Sequence, residues 1–146
     1  MKRVLVIEDG TEYAEFARLF LGPDLAVVAA RSAADALRLA ASEPPHVFLV
    51  DLRFDRAPAA VLIGDVDATA ERLFAGDRAR ALRHLQDQQG VLILAELRQA
   101  GHKQPAVFVH DFPARRLENL QRLYGDVRAI PNFDATALRA ALAGQP

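Results

Sequence analysis

The chain has 146 residues, 51% hydrophobic and 25% charged, which suits one domain with a real apolar core and excludes a disordered or fibrous chain. Its formal net charge of -1 excludes a basic field able to hold a nucleic acid by phosphate contacts alone. Without cysteine there is neither a disulfide framework nor thiolate chemistry.

From the N-terminus, Met1-Lys2-Arg3 leads into a short apolar run that ends at Glu8-Asp9. That run is too short for a signal peptide or a membrane span, so the expectation is a cytoplasmic protein without membrane contact. The first strand is expected over Arg3–Ile7. Thr11–Leu21 then repeats Tyr13, Phe16, Ala17 and Phe20 at the spacing of an amphipathic helix. A second strand is expected over Leu25–Ala29, followed by a helix from an N-capping Ser32 to Ser42, which Pro44-Pro45 terminates. Further strands fall at Val47–Val50, Ala106–Val109 and Val127–Ile130. Leu117, Leu120 and Tyr124 mark a helix after the fourth of these, and Leu138 with Leu142 mark a last one. Runs that are apolar throughout belong to parallel strands buried on both faces. Strand–helix alternation predicts an α/β, doubly wound, five-stranded parallel sheet.

One interval breaks the rhythm. More than 50 residues separate the third strand from Ala106, where a single crossover helix needs about half that. Phe54–Ile63 is rich in Ala and Pro. Asp67–Gln89 then carries apolar residues at helical spacing, with Gly76-Asp77 as a break and a new start. The whole chain is expected to be one domain with an insert over about 53–89.

Three acids stand at the carboxyl ends of expected strands: Glu8 and Asp9 after the first, Asp51 after the third. In an open parallel sheet the ligand crevice lies outside those ends. A single acid there is ordinarily a solvated loop residue, whereas three converging carboxylates suit a hard cation such as Mg²⁺. With the cation in place, Asp51 is available as a carboxylate nucleophile towards a phosphoryl group. An α/β enzyme or nucleotide binder gains no support, because Glu8-Asp9-Gly10-Thr11 has one glycine and two acids where a phosphate loop needs several glycines.

At this point the residues resemble a known family. Val4-Leu5-Val6-Ile7-Glu8-Asp9 is similar to the first strand and acidic pair of response-regulator receiver (CheY-like) domains. Ala30-Arg31-Ser32-Ala33-Ala34-Asp35-Ala36-Leu37 resembles their second strand–helix junction, and Pro45-His46-Val47-Phe48-Leu49-Val50-Asp51-Leu52 the strand that delivers the phospho-accepting aspartate. Gly90–Arg98 resembles the third helix, and Gln104–Val109 the fourth strand. The resemblance implies strand order 2-1-3-4-5. It also implies Mg²⁺ held by Glu8, Asp9, Asp51 and the backbone carbonyl of Arg53. Asp51 would take phosphate from a histidine kinase or phosphotransfer protein.

The sequence departs from the family at its switch positions. His110 stands where the family has a serine or threonine, Asp111 follows where a small residue is usual, Val127 replaces the switch aromatic, and Ile130 before Pro131 replaces a lysine. Arg128 is near Ile130 and shares its face if the strand register holds. The insert is the second departure, since Asp51 and Gly90 lie 39 positions apart, several times the family's spacing. A solvated decorating helix accounts for it; a partner-binding or dimer-forming arm that restricts kinase access is the sharper reading. The leading expectation is a stand-alone receiver, because the chain ends at Gly144-Gln145-Pro146 with no room for a DNA-binding output domain. Its output would pass to a downstream protein through the last two helices. A pseudo-receiver, a phosphorylation-independent interaction module, is the alternative.

Overall fold

The structure, a computed structural model, describes residues 2–143. Strands β1 (Lys2–Ile7), β2 (Leu25–Ala30), β3 (Val47–Val50), β4 (Ala106–Val109) and β5 (Val127–Ile130) form one parallel sheet in the order β2-β1-β3-β4-β5. Each begins and ends within one residue of its expected apolar run. β3 has all four residues buried, as its unbroken hydrophobicity predicts for a strand covered on both faces.

Successive side chains of a strand point to opposite faces, and this divides the core in two. Leu5, Ile7, Phe48, Val50 and Phe108 face one way. They pack on Ala33, Ala36 and Ala40 of α2 (Ala33–Ser42), Ile93, Leu94 and Leu97 of α5 (Gln89–Gln99) and Leu120 of α6 (Ala114–Tyr124). Val4, Val6, Leu49 and Val107 face the other way, onto Ala14 and Ala17 of α1 (Glu12–Phe20) and Leu138 and Leu142 of α7 (Ala135–Leu142). Ser32 caps α2 as expected, accepting from the Asp35 N–H at 3.1 Å. Among the described residues no helix is long and apolar enough to cross a membrane.

Between β3 and α5 the insert forms a short 3₁₀ turn (Ala59–Val61) and two helices, α3 (Val66–Leu73) and α4 (Arg78–Asp87). The expected break is there: Gly76 takes φ +88°, and Asp77 caps α4 by accepting from the Arg80 N–H at 3.2 Å. What fastens the insert is a residue that no local pattern singles out. Gln89 is fully buried; its Oε1 accepts from the Ile63 N–H at 2.7 Å, and its Nε2 donates to the carbonyls of Ile63 at 3.1 Å and Leu85 at 3.2 Å. One amide thus stands in for a strand partner and pins an otherwise irregular segment to the α4–α5 junction.

At the opposite end of the sheet, Arg98 donates to the carbonyls of Tyr124, His102, Gln104 and Asp126, at 2.7, 2.9, 2.7 and 3.1 Å. That guanidinium ties the end of α5 to the start of β5. Gln89→Leu keeps the volume but leaves the Ile63 N–H and C=O without partners. The expected loss is on the order of 2–3 kcal/mol of unfolding free energy, read as a lower urea midpoint.

Candidate phospho-acceptor site

From β1 the chain crosses to β2 and then returns past β1 to β3. The carboxyl ends of β1 and β3 therefore flank the point where the winding reverses, and there a crevice must open. Ile7 and Val50 are register partners, so Glu8 and Asp51 leave the sheet side by side. The Asp51 N–H donates to the Ile7 carbonyl at 2.8 Å and the Glu8 N–H to the Ala30 carbonyl at 3.0 Å, which carries the ladder one residue past each strand.

The structure brings Glu8, Asp9 and Asp51 together but gives them different roles. Glu8 is buried, and its two oxygens accept from the N–H groups of Tyr13 at 3.0 Å and Ala14 at 2.9 Å. Those are donors of the first turn of α1, whose own preceding residue, Thr11, makes no side-chain cap. Glu8 is thus the cap of α1, delivered from the end of β1. Asp9 Oδ2 accepts from the Arg56 N–H at 2.8 Å, and Asp51 Oδ1 from the Arg53 N–H at 3.3 Å. Among the described residues no group of three or more His, Asp or Glu side chains is arranged to hold a metal. With Glu8 engaged by α1, the oxygen donors left facing the crevice are the carboxylates of Asp9 and Asp51, beside the Arg53 backbone.

Burial pushes the Asp51 carboxyl up to about 7, and the charges of Asp9 and Glu8 add to it, against the lowering hydrogen bond from Arg53. Tyr13 stands against the same carboxylate, and its hydroxyl lies 3.5 Å from the Val109 carbonyl oxygen. Burial raises the phenol, and the Asp51 charge raises it further. By sequence Tyr13 reads as a core position of α1; only the rule that a buried phenol needs a polar partner points to the site.

The loop after Asp51 is held by the insert. The Phe54 N–H donates to the Gln86 carbonyl at 2.8 Å, and the Gly90 N–H to the Leu52 carbonyl at 2.9 Å. Gly90 lies so close that a Cβ there would stand 2.3 Å from the Asp51 carbonyl oxygen. A strap crosses the acids too, because Arg56, whose N–H binds Asp9, pairs through its guanidinium with Glu12 and holds that carboxyl below its usual range.

The altered switch positions lie on the β4–β5 side. The His110 N–H donates to the Ile130 carbonyl at 2.8 Å, and its ring meets Phe112 edge-on at 4.6 Å. Burial, with the nearby charges of Arg53 and Arg116, holds the imidazole below its ordinary value. Arg116 lies over the Phe112 ring at 5.2 Å and bonds the Gln88 side chain. Ile130 is buried in the core layer under α1 and α7, and Val127 in the opposite layer. Asp111 and Pro131 are exposed. Arg128 does share the Ile130 side of the strand, yet it is spent elsewhere, on both carboxylate oxygens of Asp126 at 2.9 Å and on the Ala141 carbonyl at 2.7 Å. It supplies no cation to the crevice.

No family model matches the chain, and no curated protein matches it in sequence. Solved structures do. A response regulator receiver domain protein (CheY-like) from Methanospirillum hungatei superposes with a TM-score of 0.63 at 14% identity, over 98% of this chain and 91% of that one. The receiver domain of NtrX from Brucella abortus gives 0.61 at 16% identity, over 97% and 99%. A response regulator from Burkholderia pseudomallei, solved with a phosphorylated aspartic acid, a calcium ion and citrate, gives 0.62 at 19% identity, over 97% of this chain and 66% of that one. At such identities the likeness is one of fold: this chain has the receiver fold.

Two measurements check the site. Gly90→Ala is expected to cost about 1–3 kcal/mol, because the clash is with backbone and not with a side chain that can turn away. Because the folded Asp51 carboxyl titrates near 7 and the unfolded one near 3.8, the folded state binds the extra proton between those values. In metal-free buffer stability should therefore fall as pH rises from about 4 to about 7, and Asp51→Asn should flatten that slope in urea titrations.

Proposed function

We propose that the chain is a phospho-accepting receiver in two-component signalling, with Asp51 as the acceptor and an altered switch. The observation that supports this most is the place of Asp51. It leaves the central strand at the sheet's reversal point, with the charges of Asp9 and Glu8 close by. Two carboxylates that repel each other and one backbone carbonyl form a donor set suited to a hard divalent ion. Asp9, Asp51 and the Arg53 carbonyl would hold Mg²⁺, with Glu8 behind them fixing α1. The bound ion would supply charge neutralisation, drawing Asp51 to its ionised form and letting it meet an anionic donor.

The carboxylate oxygen of Asp51 then attacks the phosphorus of a phosphohistidine on a kinase or phosphotransfer protein. The P–N bond breaks and an acyl phosphate forms on Asp51. Phosphoryl oxygens directed at β4 and β5 meet the His110 ring, whose N–H can donate, but no lysine, because Ile130 is in the core. A missing cation beside a dianion removes a charge-assisted hydrogen bond worth about 2 kcal/mol. Slow acceptance and a weak response of α6 follow. Output would pass to a downstream protein through the surface of α6 and α7, and the insert would be the arm through which a homodimer forms.

The strap favours a second reading, a phosphorylation-independent interaction module. Arg56 already donates its N–H to Asp9 and pairs its guanidinium with Glu12, so groups of the protein itself engage the acids.

Intact-mass spectrometry after treatment with acetyl phosphate and Mg²⁺ separates the readings. The wild type should gain one phosphoryl group slowly, Asp51→Asn none, and Ile130→Lys with His110→Thr more than the wild type. Rapid, complete modification of the wild type would contradict the altered switch. No modification of either the wild type or the double variant would leave the interaction module standing.

A further inference from the structure

The insert exceeds what a β–α–β crossover needs, and its outer side is chemically polarised. α4 brings Arg78, Arg80 and Arg83 within two turns and has no acid in its first turn. Arg78 is occupied, paired with Asp67 at 2.8 Å. Arg80 and Arg83 are exposed, and among the described residues neither guanidinium pairs with a carboxylate or donates a hydrogen bond. They wall a cleft of about 440 Å³ between the end of α3 and α4, lined also by Phe74, Ala79, His84 and Asp87.

Inside that cleft Phe74 is only half-buried. Arg80 lies over its ring at 5.3 Å and the His84 ring meets it at 5.6 Å. The residue before it, Leu73, is 49% exposed. A half-buried aromatic ring in the same cleft as two guanidiniums without carboxylate partners offers an apolar contact and charge-assisted donors side by side.

We propose that the α3–α4 cleft docks a carboxylate-rich, partly apolar segment of a partner protein. Carboxylates would pair with Arg80 and Arg83, and an apolar side chain would pack against Phe74. Charge complementarity selects this occupant. A compact phosphate ion leaves the apolar half of the cleft, Phe74 and Ala79, without a partner, and a chain of net charge -1 has no wider basic field to hold a nucleic acid. A flexible segment that alternates acids with apolar residues satisfies both halves of the cleft. The helix it would grip is the one whose Gln86 carbonyl holds the loop after Asp51, so the docked partner would sit one helix away from the acceptor.

The test uses the full chain and fluorescence anisotropy of a labelled peptide of Glu-Glu-Leu repeats, with a Lys-Lys-Leu peptide as the opposite charge. The acidic peptide should bind saturably and more weakly as salt is raised, and the basic one should not bind. Arg80→Glu with Arg83→Glu should weaken binding by about tenfold or more, since two attractive contacts become repulsive. Arg31→Glu with Lys103→Glu, an equal charge change at two exposed positions away from the cleft, should leave affinity within about twofold. Circular dichroism should show all variants folded. Equal losses in the two double variants would reduce the effect to diffuse attraction and overturn the proposal. So would absence of binding, or displacement of the peptide by inorganic phosphate or by an RNA oligonucleotide at matched ionic strength.

Discussion

The arrangement depends on a repulsion: carboxylates of like charge are forced together at the carboxyl ends of two inner strands, β1 and β3. The order β2-β1-β3 makes Ile7 and Val50 partners, so whatever follows them is neighbourly by construction. Glu8 escapes the conflict by giving both oxygens to the first turn of α1, where the helix dipole favours negative charge. Asp9 is eased by the Arg56 N–H. Asp51 is half-buried, accepts one long hydrogen bond from the Arg53 N–H and has two anionic neighbours, and its raised proton affinity follows. The folded site therefore favours a proton on Asp51.

Around that conflict the insert acts as scaffold. The stretch from Gln86 to Gly90, where it runs into α5, touches the loop after Asp51 on one side and α6 on the other: Gln86 and Gly90 bond Phe54 and Leu52, and Gln88 bonds Arg116. Where a short connection would leave the loop after Asp51 to solvent, this chain ties it down at two backbone points. The same junction carries the buried Gln89 amide, so loosening it would disturb the insert and the loop after Asp51 together.

Much of this was legible in the sequence, because parallel strands buried on both faces leave an unmistakable mark. The five apolar runs, the Ser32 cap and the Gly76-Asp77 break all appear where the pattern puts them. The three acids were found by position alone, as residues just past strand ends. What stayed hidden depends on distances across the fold. Nothing local in the sequence shows that the Glu8 side chain reaches back to the first turn of α1. Tyr13 carries the spacing of a core residue and hides a polar tip. Gln89 sits in a run of polar residues, and its burial follows only from how Ile63 returns. Arg128 looks like a spare cation until Asp126 and the end of α7 claim it.

The most direct test of the account is the titration of Asp51 itself, followed by ¹³C NMR of its side-chain carboxyl with and without Mg²⁺. The structure predicts a midpoint of about 7 in metal-free buffer, and a shift towards the ordinary carboxylate range when Mg²⁺ is added. A midpoint near 3.8 that Mg²⁺ leaves unmoved would contradict it, since Asp51 would then be a solvated strand-end acid with no site around it.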